Sequence, residues 1–257
     1  MKDTLGDRMK GNYEDRTRFS LPRRTYTVIR IDGKAFHTYT RGLVKPFDKG
    51  LMDDMDATTA FLCSNIMGAK LGYVQSDEIS IVITDFDDID TQSWFDSNLQ
   101  KMTSVSSSIA TAKFNQLRMS RACGNGYSDG CLTGKDINEF KLAMFDSRVF
   151  QIPQKVEVIN YLIWRQQDAT RNSISSVAQS LYSPKELHGK NSDQQQELIF
   201  QKGINWNDYS YREKRGAIIT KVPYELNGTM RTKWVSVETP IFTQEKEFLN
   251  NLIPNNQ

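Results

Sequence analysis

Four strand-like runs interleaved with two helix-like stretches, in the order β-α-β-β-α-β, predict an α/β (α+β) fold. Its core is a ferredoxin-like split-βαβ unit, and a mixed, mainly helical C-terminal extension follows. Three observations carry this expectation. Residues 25–31, "TYTVIRI", are β-branched and aromatic and run into the turn dipeptide Asp32-Gly33. In 78–84, Ile79, Ile81 and Ile83 alternate with Ser80 and Val82, the period-two pattern of a strand with one strongly apolar face. Between these runs Leu51, Met55, Thr58 or Thr59, Leu62 and Ile66 recur every three to four positions, which predicts a helix over 50–69 with one buried stripe.

The remaining elements follow in order. Asp53, Asp54 and Asp56 fall in the early turns of the first helix, where the positive end of its dipole favours them. A short strand over 71–75 meets the strand over 78–84 at a Ser76-Asp77 hairpin tip. Residues 92–117 read as a second helix, and the four glycines of "RACGNGYSDGCLTGKD" (121–136) predict a loop. "EFKLAMF" (139–145) reads as the fourth strand. Beyond about residue 150 the pattern changes to a long helix from Lys155 to Tyr182, helical turns through Phe200, and strands near 216–222 and 233–238. The expected division is a core over 1–150 and an extension over 151–257 packed against it.

Composition narrows the class. The chain has 257 residues, 38% hydrophobic and 25% charged, an ordinary globular balance. No apolar run approaches the roughly 20 residues that span a bilayer, so no membrane is expected. The charged start "MKDTLGDRMKGNYEDR" lacks the apolar core of a secretory signal. Cys63, Cys123 and Cys131 are odd in number and lack metal-type spacing, so reduced thiols in the cytoplasm are expected. A formal charge of +2 provides no global field for a polyanion. Any nucleic-acid contact falls to local clusters: Arg16, Arg18, Arg23 and Arg24, or Arg212, Lys214 and Arg215. Either cluster alone reads more readily as solvated surface charge.

The chemistry concentrates on two carboxylates. In a split-βαβ sheet the first and third strands are central, adjacent and antiparallel. Asp32 closes the first strand and Asp77 opens the third, so the two acids share one edge. Two such groups can hold a pair of Mg²⁺ ions about 3.5–4 Å apart, the geometry of two-metal phosphoryl transfer. So sparse a ligand set suits Mg²⁺, which keeps waters and substrate phosphates in its shell. Gly33 permits close backbone approach, the amides of Lys34, Ala35, Phe36 and His37 form a candidate nest for a triphosphate, and Lys45 is a candidate point charge. Taken singly, Asp32 and Asp77 are ordinary turn residues, and Glu78, His37 and His188 read as structural or solvated. Only the pairing implied by topology raises the functional reading. In the long helix Arg165, Asp168, Asn172, Ser175 or Ser176, and Gln179 are three or four apart. They make one polar face, turned to RNA or to water.

The blocks "LGDRMK", "RIDGKAFHTYTRGLVKPFD", "QSDEISIVI", "FDSRVF", "YLIWRQQDATRNS" and "LHGK", in that order from residue 5 to about 220, resemble the tRNA(His) guanylyltransferase superfamily of 3′–5′ polymerases. The resemblance implies a palm-type catalytic core in which the 3′-hydroxyl of an incoming nucleotide attacks an activated 5′ end of RNA. Activation is by a 5′-triphosphate or by adenylylation with ATP. It also implies that Asp32 and Asp77 hold two Mg²⁺ ions per active site and that Gly33 adds its carbonyl. Lys34, Ala35, Phe36, His37, Lys45, Asp48 and Ser76 would lie around the nucleotide, with Glu78 behind the metal ligands. Arg165 and Gln166 stand in a family block, and with Asn172 and Lys190 they are the expected RNA contacts. Implied partners are tRNA, with ATP, GTP and other nucleoside triphosphates as substrates, and a homotetramer is implied.

One departure bears on the branch. Members that add the extra guanylate carry His-Ile-Asn-Asn-Leu-Tyr-Asn after the Trp-Arg-Gln-x-Asp block. Here the stretch from Thr170 to Ser176 keeps only Asn172, and the histidine is absent. That matches the guanylyltransferase-like branch, which resembles template-dependent repair enzymes for 5′-truncated tRNA. The alternatives are a tRNA(His) guanylyltransferase proper, a palm-type nucleotide cyclase, and a non-catalytic RNA-binding module. The last would stack bases on exposed strand aromatics, where Ile29, Ile31, Ile79 and Ile81 stand instead.

Overall fold

Antiparallel pairing gathers β1 (Tyr26–Gly33), β2 (Ala69–Gln75), β3 (Glu78–Ile83), β4 (Phe145–Ile152), β5 (Ala217–Leu226) and β6 (Thr229–Val237) into one sheet, in the order β4-β1-β3-β2-β5-β6. The computed structural model describes residues 4–122 and 140–256. The first four strands have the neighbours expected of a split-βαβ unit. The β5–β6 hairpin extends the same sheet, with Ala217–Ile219 facing Gly72–Val74 of β2.

Strand alternation divides the apolar residues between two faces. Ile29, Ile31, Val74, Ile79, Ile81 and Ile219 point to one face. There Met55 and Leu62 of α1 (Lys49–Asn65) and Phe114 of α2 (Leu99–Ala122) close over them. Tyr26, Val28, Tyr73, Val82 and Ile218 point to the other. It is covered by Leu162 of α3 (Lys155–Leu181), by Phe242 and by Leu249 of α5 (Lys246–Leu252). The 27 residues of α3 rise about 40 Å, whereas an eight-residue strand spans about 26 Å. Its second half therefore runs past the sheet and buries Ile174, Val177 and Ala178 against Ile199 of α4 (Ser192–Gln201) and Trp206.

Several boundaries differ from the sequence expectation. The first helix stops at Asn65, because Gly68 (φ +82) turns the chain so tightly that a Cβ there would lie 2.3 Å from the Thr84 carbonyl oxygen. The second helix begins at Leu99. Phe95 and Asp96 at positive φ break the preceding turn, and the Asn98 side chain then accepts from the Lys101 N–H at 2.9 Å. The fourth strand is Phe145–Ile152, not 139–145; residue 139 lies outside the described residues. Over 143–144 the backbone is held without a ladder. The Asn115 amide donates to Ala143 O and accepts from Ala143 N, and Met144 O accepts from Lys34 N. Leu142 and Met144 are more than half exposed, so that apolar run is not a buried strand. Of the loop expected over 121–136, Arg121 and Ala122 still belong to α2, and the rest lies outside the described residues. Among the described residues no helix is long and apolar enough to cross a membrane.

At Gly72 α1 crosses close to the sheet: a Cβ there would meet Thr59 Cγ2 at 2.6 Å and Cys63 Sγ at 2.9 Å. Both neighbours are buried, so Gly72→Ala is expected to destabilise the protein by about 1–3 kcal/mol. Denaturant unfolding checks this, and an unchanged midpoint would refute the close crossing.

Candidate active site

The antiparallel register between β1 and β3 sets the site. Asp32 lies opposite Glu78, and the Gly33 N–H donates to the Asp77 carbonyl at 3.2 Å. The tip is a two-residue turn in which Ser76 takes φ +46, the left-handed conformation that tight hairpins use. Asp32 and Asp77 thus share one sheet edge, as the topology argument required. Gly33 has a structural reason beyond turn formation. A Cβ there would sit 2.2 Å from the Phe36 ring, which packs into the core against Tyr39, Phe114 and Phe145.

Two cavities meet at this edge. One, of about 620 Å³, lies between Arg30, Asp32, Gln75 and Asp77 on the sheet and Trp164, Asp168, Asn172 and Ser176 on α3. The other, of about 610 Å³, is lined by Gly33, Ala35, Phe36, His37, Lys45 and Asp48. Ser76, Asp77, Ser176 and Gln179 line both. The structure therefore brings together nearly all of the expected nucleotide residues. Phe36 is buried and can offer only backbone there. Asp48 is committed to structure, its carboxylate accepting from Leu51 N at 2.7 Å as the cap of α1 and from Val44 N at 3.2 Å. Lys34 lines neither cavity, and its N–H donates to Met144 O.

The expected RNA contacts fare differently. Asn172 is exposed and faces the first cavity, on the polar face of α3 that also carries Asp168, Ser176 and Gln179. Arg165, however, is only 5% exposed and donates twice to Glu78, at 2.7 Å from Nε and 2.7 Å from Nη2. Gln166 is buried too. Its amide donates to Pro240 O and accepts from Phe242 N, pinning the segment that carries Phe242. Lys190 lines neither cavity. The basic clusters are partly spent on structure as well. Arg23 and Arg24 bind Asp85 and the carbonyls of Asp88, Ile89 and Thr91, and Arg212 pairs with Asp56.

Glu78 is the electrostatic pivot. Arg165 grips it from α3 and Arg30 approaches from β1 at 3.3 Å, while Arg165 also reaches Asp168 at 3.0 Å and lies 4.5 Å over the Trp164 ring. Its charge is thereby matched, and among the described residues those of Asp32 and Asp77 have no ion-pair partner. Burial first, then Asp32 and Glu78, push the Asp77 carboxyl up to about 6, against hydrogen bonds from Ser76 and its own backbone. Among the described residues no three acidic, histidine or cysteine side chains form a closed metal cage. Two hard-oxygen carboxylates with excess negative charge on an open edge fit Mg²⁺ that arrives with nucleotide phosphates. Sequence reasoning overlooked Arg30 and Gln75 in the cavity wall. The signal was there, since a charged residue inside "TVIRI" requires a buried partner.

A family model described as Thg1, tRNAHis guanylyltransferase, matches residues 6–153. The chain belongs to this family. It is a nucleotidyltransferase. Among relatives, an uncharacterized protein of Acanthamoeba polyphaga mimivirus is 30% identical over 86% of this chain and 78% of its own length. A bacterial tRNA(His) guanylyltransferase (Thg1)-like protein solved in complex with ATP matches with a TM-score of 0.81 at 45% identity. That match covers 97% of this chain and 99% of the other. The complex of such a protein with GTP matches at 0.80 and 44%, with the same coverage. The Thg1 fold thus extends over nearly the whole chain.

Because Arg165 is interior, Arg165→Ala is expected to cost about 3–5 kcal/mol of stability by leaving Glu78 under-compensated; calorimetry showing no loss would contradict the burial. Asp77 adds a pH signature. Its folded pKa exceeds that of an ordinary carboxylate, so the ionised form disfavours the fold, with a cost that grows from about pH 4 to about pH 6. In EDTA, Asp77→Asn should therefore stabilise the protein near pH 7.5 by roughly 1–3 kcal/mol and converge with the parent near pH 4. A gain independent of pH in thermal melts would exclude this origin.

Proposed function

We propose that this chain is a template-dependent 3′–5′ nucleotidyltransferase that adds nucleotides to the 5′ end of tRNA, a 5′-end repair activity. The observation that carries this reading is the pair of cavities meeting at Asp77. A transferase joining two substrates needs two pockets with one reactive edge, whereas a cyclase needs one. Lys45, His37 and the backbone from Ala35 to His37 hold the triphosphate of one nucleotide. Asn172, Ser176 and Gln179 on α3 face the 5′ end of the RNA. Residues 1–150 thus supply the acids and residues 151–257 the opposing wall.

Asp32 and Asp77, with the Gly33 carbonyl, would hold two Mg²⁺ ions, which when bound supply charge stabilisation for the reacting phosphate and lower the pKa of the attacking hydroxyl. The protein's own contribution is positioning. The rigid β1–β3 register fixes the carboxylates, and the matched Glu78 keeps them from being drawn into ion pairs. A bond forms between the 3′-oxygen of the incoming nucleotide and the 5′ phosphorus of the RNA, and pyrophosphate or AMP departs according to how that end was activated. At the turn where guanylate-adding members carry histidine, Thr170 donates to the Gln166 carbonyl at 3.0 Å. No proton-transferring group stands at this position, which supports the guanylyltransferase-like branch over tRNA(His) guanylyltransferase proper.

The test is addition of labelled nucleotides to a tRNA lacking its first nucleotide, with Mg²⁺ present. Complementary addition is expected. Asp32→Ala and Asp77→Ala should each reduce it about a thousandfold or more, with little loss of stability. Cyclic product from nucleotide alone, or non-templated guanylate addition only, would overturn the reading.

A further inference from the structure

A third cavity, of about 330 Å³, is lined by Tyr39, Arg41, Arg118, Arg121, Phe140 and Lys141. Four cations face one carboxylate among the described residues lining or supporting it. Asp54, 3% exposed, takes Arg118 at 3.1 Å and Arg121 at 2.8 Å. Asp48 and Asp53 act on Arg121 from farther off, the first as the cap of α1 and the second paired with Lys49. The negative end of α2 and the buried Asp54 account for Arg118 and Arg121. They do not account for the others. Arg41 is exposed and has no ion-pair partner among the described residues. Among the described residues Lys141 has only the carbonyls of Thr38 and Tyr39 and the face of the Tyr39 ring, 5.3 Å away.

Resting on the tRNA reading above, we propose that this cavity holds a phosphodiester segment of the RNA, its phosphate against Arg41, Arg121 and Lys141 and a base against Phe140. The combination of guanidinium and ammonium groups with aromatic rings suits a single-stranded polyanion, whose phosphates are neutralised while its bases stack. Continuity selects a polymer over a free nucleotide. Arg41 and Leu43 line both this cavity and the nucleotide cavity beside the acids. A strand passing over that shared rim would touch both at once, whereas a lone triphosphate would fill only one.

The test compares wild type with Arg41→Gln and Lys141→Gln for binding of the 5′-truncated tRNA by fluorescence anisotropy across a salt series. Nucleotide KM is measured for Lys141→Gln, and melting temperatures for all. The expected result is a Kd raised about three- to tenfold by each variant, and a salt slope shallower by about one per lost contact. Nucleotide KM should stay within about twofold of wild type. Arg41→Gln keeps the test open if Lys141→Gln proves unstable, since Arg41 is exposed and has no ion-pair partner among the described residues. Unchanged Kd and slope, with wild type still extending the RNA, would overturn this site and leave the enzyme reading intact. A raised nucleotide KM with unchanged RNA binding would overturn it in favour of a free nucleotide. A wild-type protein that neither binds nor extends the tRNA would overturn both.

Discussion

The site depends on how one buried carboxylate is neutralised. Asp32, Asp77 and Glu78 converge on a single strand edge, and three uncompensated charges there would oppose folding. Arg165 and Arg30 remove one of the three from that balance. A buried ion pair seldom adds net stability over an apolar substitute, so its value here is better sought in selectivity. Glu78 is tied to guanidinium groups from two elements, while its neighbours stay free to meet a cation. The Arg165 Nη2 that donates to Glu78 also donates to Asp168, which in turn binds Arg171, so the network ties the sheet edge to the helix that walls the first cavity.

That helix is the second constraint. Had α3 ended where the sheet ends, the acids would sit on an open rim. Its continuation requires apolar cover of its own, which Ile199 and Trp206 provide, and the Trp206 indole donates to Ser173 at 3.0 Å. The polar residues left on the opposite side of this half-helix become the shared wall of the two cavities. One amphipathic helix therefore serves packing on one stripe and substrate space on the other.

The sheet was legible in the sequence where alternation and turn chemistry agreed. The strands around Ile29, Ile31, Ile79 and Ile81 and the Ser76-Asp77 tip stand where the pattern put them, and with them the juxtaposition of the acids. What escaped were features set by tertiary partners. "FKLAMF" is apolar enough for a strand, yet the Asn115 amide takes its backbone groups and the strand starts at Phe145. Arg165 and Asn172 share one polar stripe in the sequence, but only the structure separates the arginine that turns inward from the asparagine that faces space. The Asn227-Gly228 turn, both residues at positive φ, joins β5 to β6. This local hairpin signal lies between the shorter strands expected near 216–222 and 233–238, and both strands run on to meet it.

The character of the cavity wall bears on which RNA 5′ ends the proposed enzyme would accept. Beyond Asp168, the α3 face offers Asn172, Ser175, Ser176 and Gln179, amides and hydroxyls that can both donate and accept. Such groups adapt to any of the four bases and discriminate weakly among them, because each can find a partner on a different nucleotide. A side chain able to read guanine alone would need a fixed bidentate fork, and of the two arginines lining this cavity Arg165 is held by Glu78 and Asp168 and Arg30 lies 3.3 Å from Glu78. Facing the 5′ end of the RNA in the proposed enzyme, such a wall would accept ends of any sequence. That is the breadth the proposed 5′-end repair activity would need.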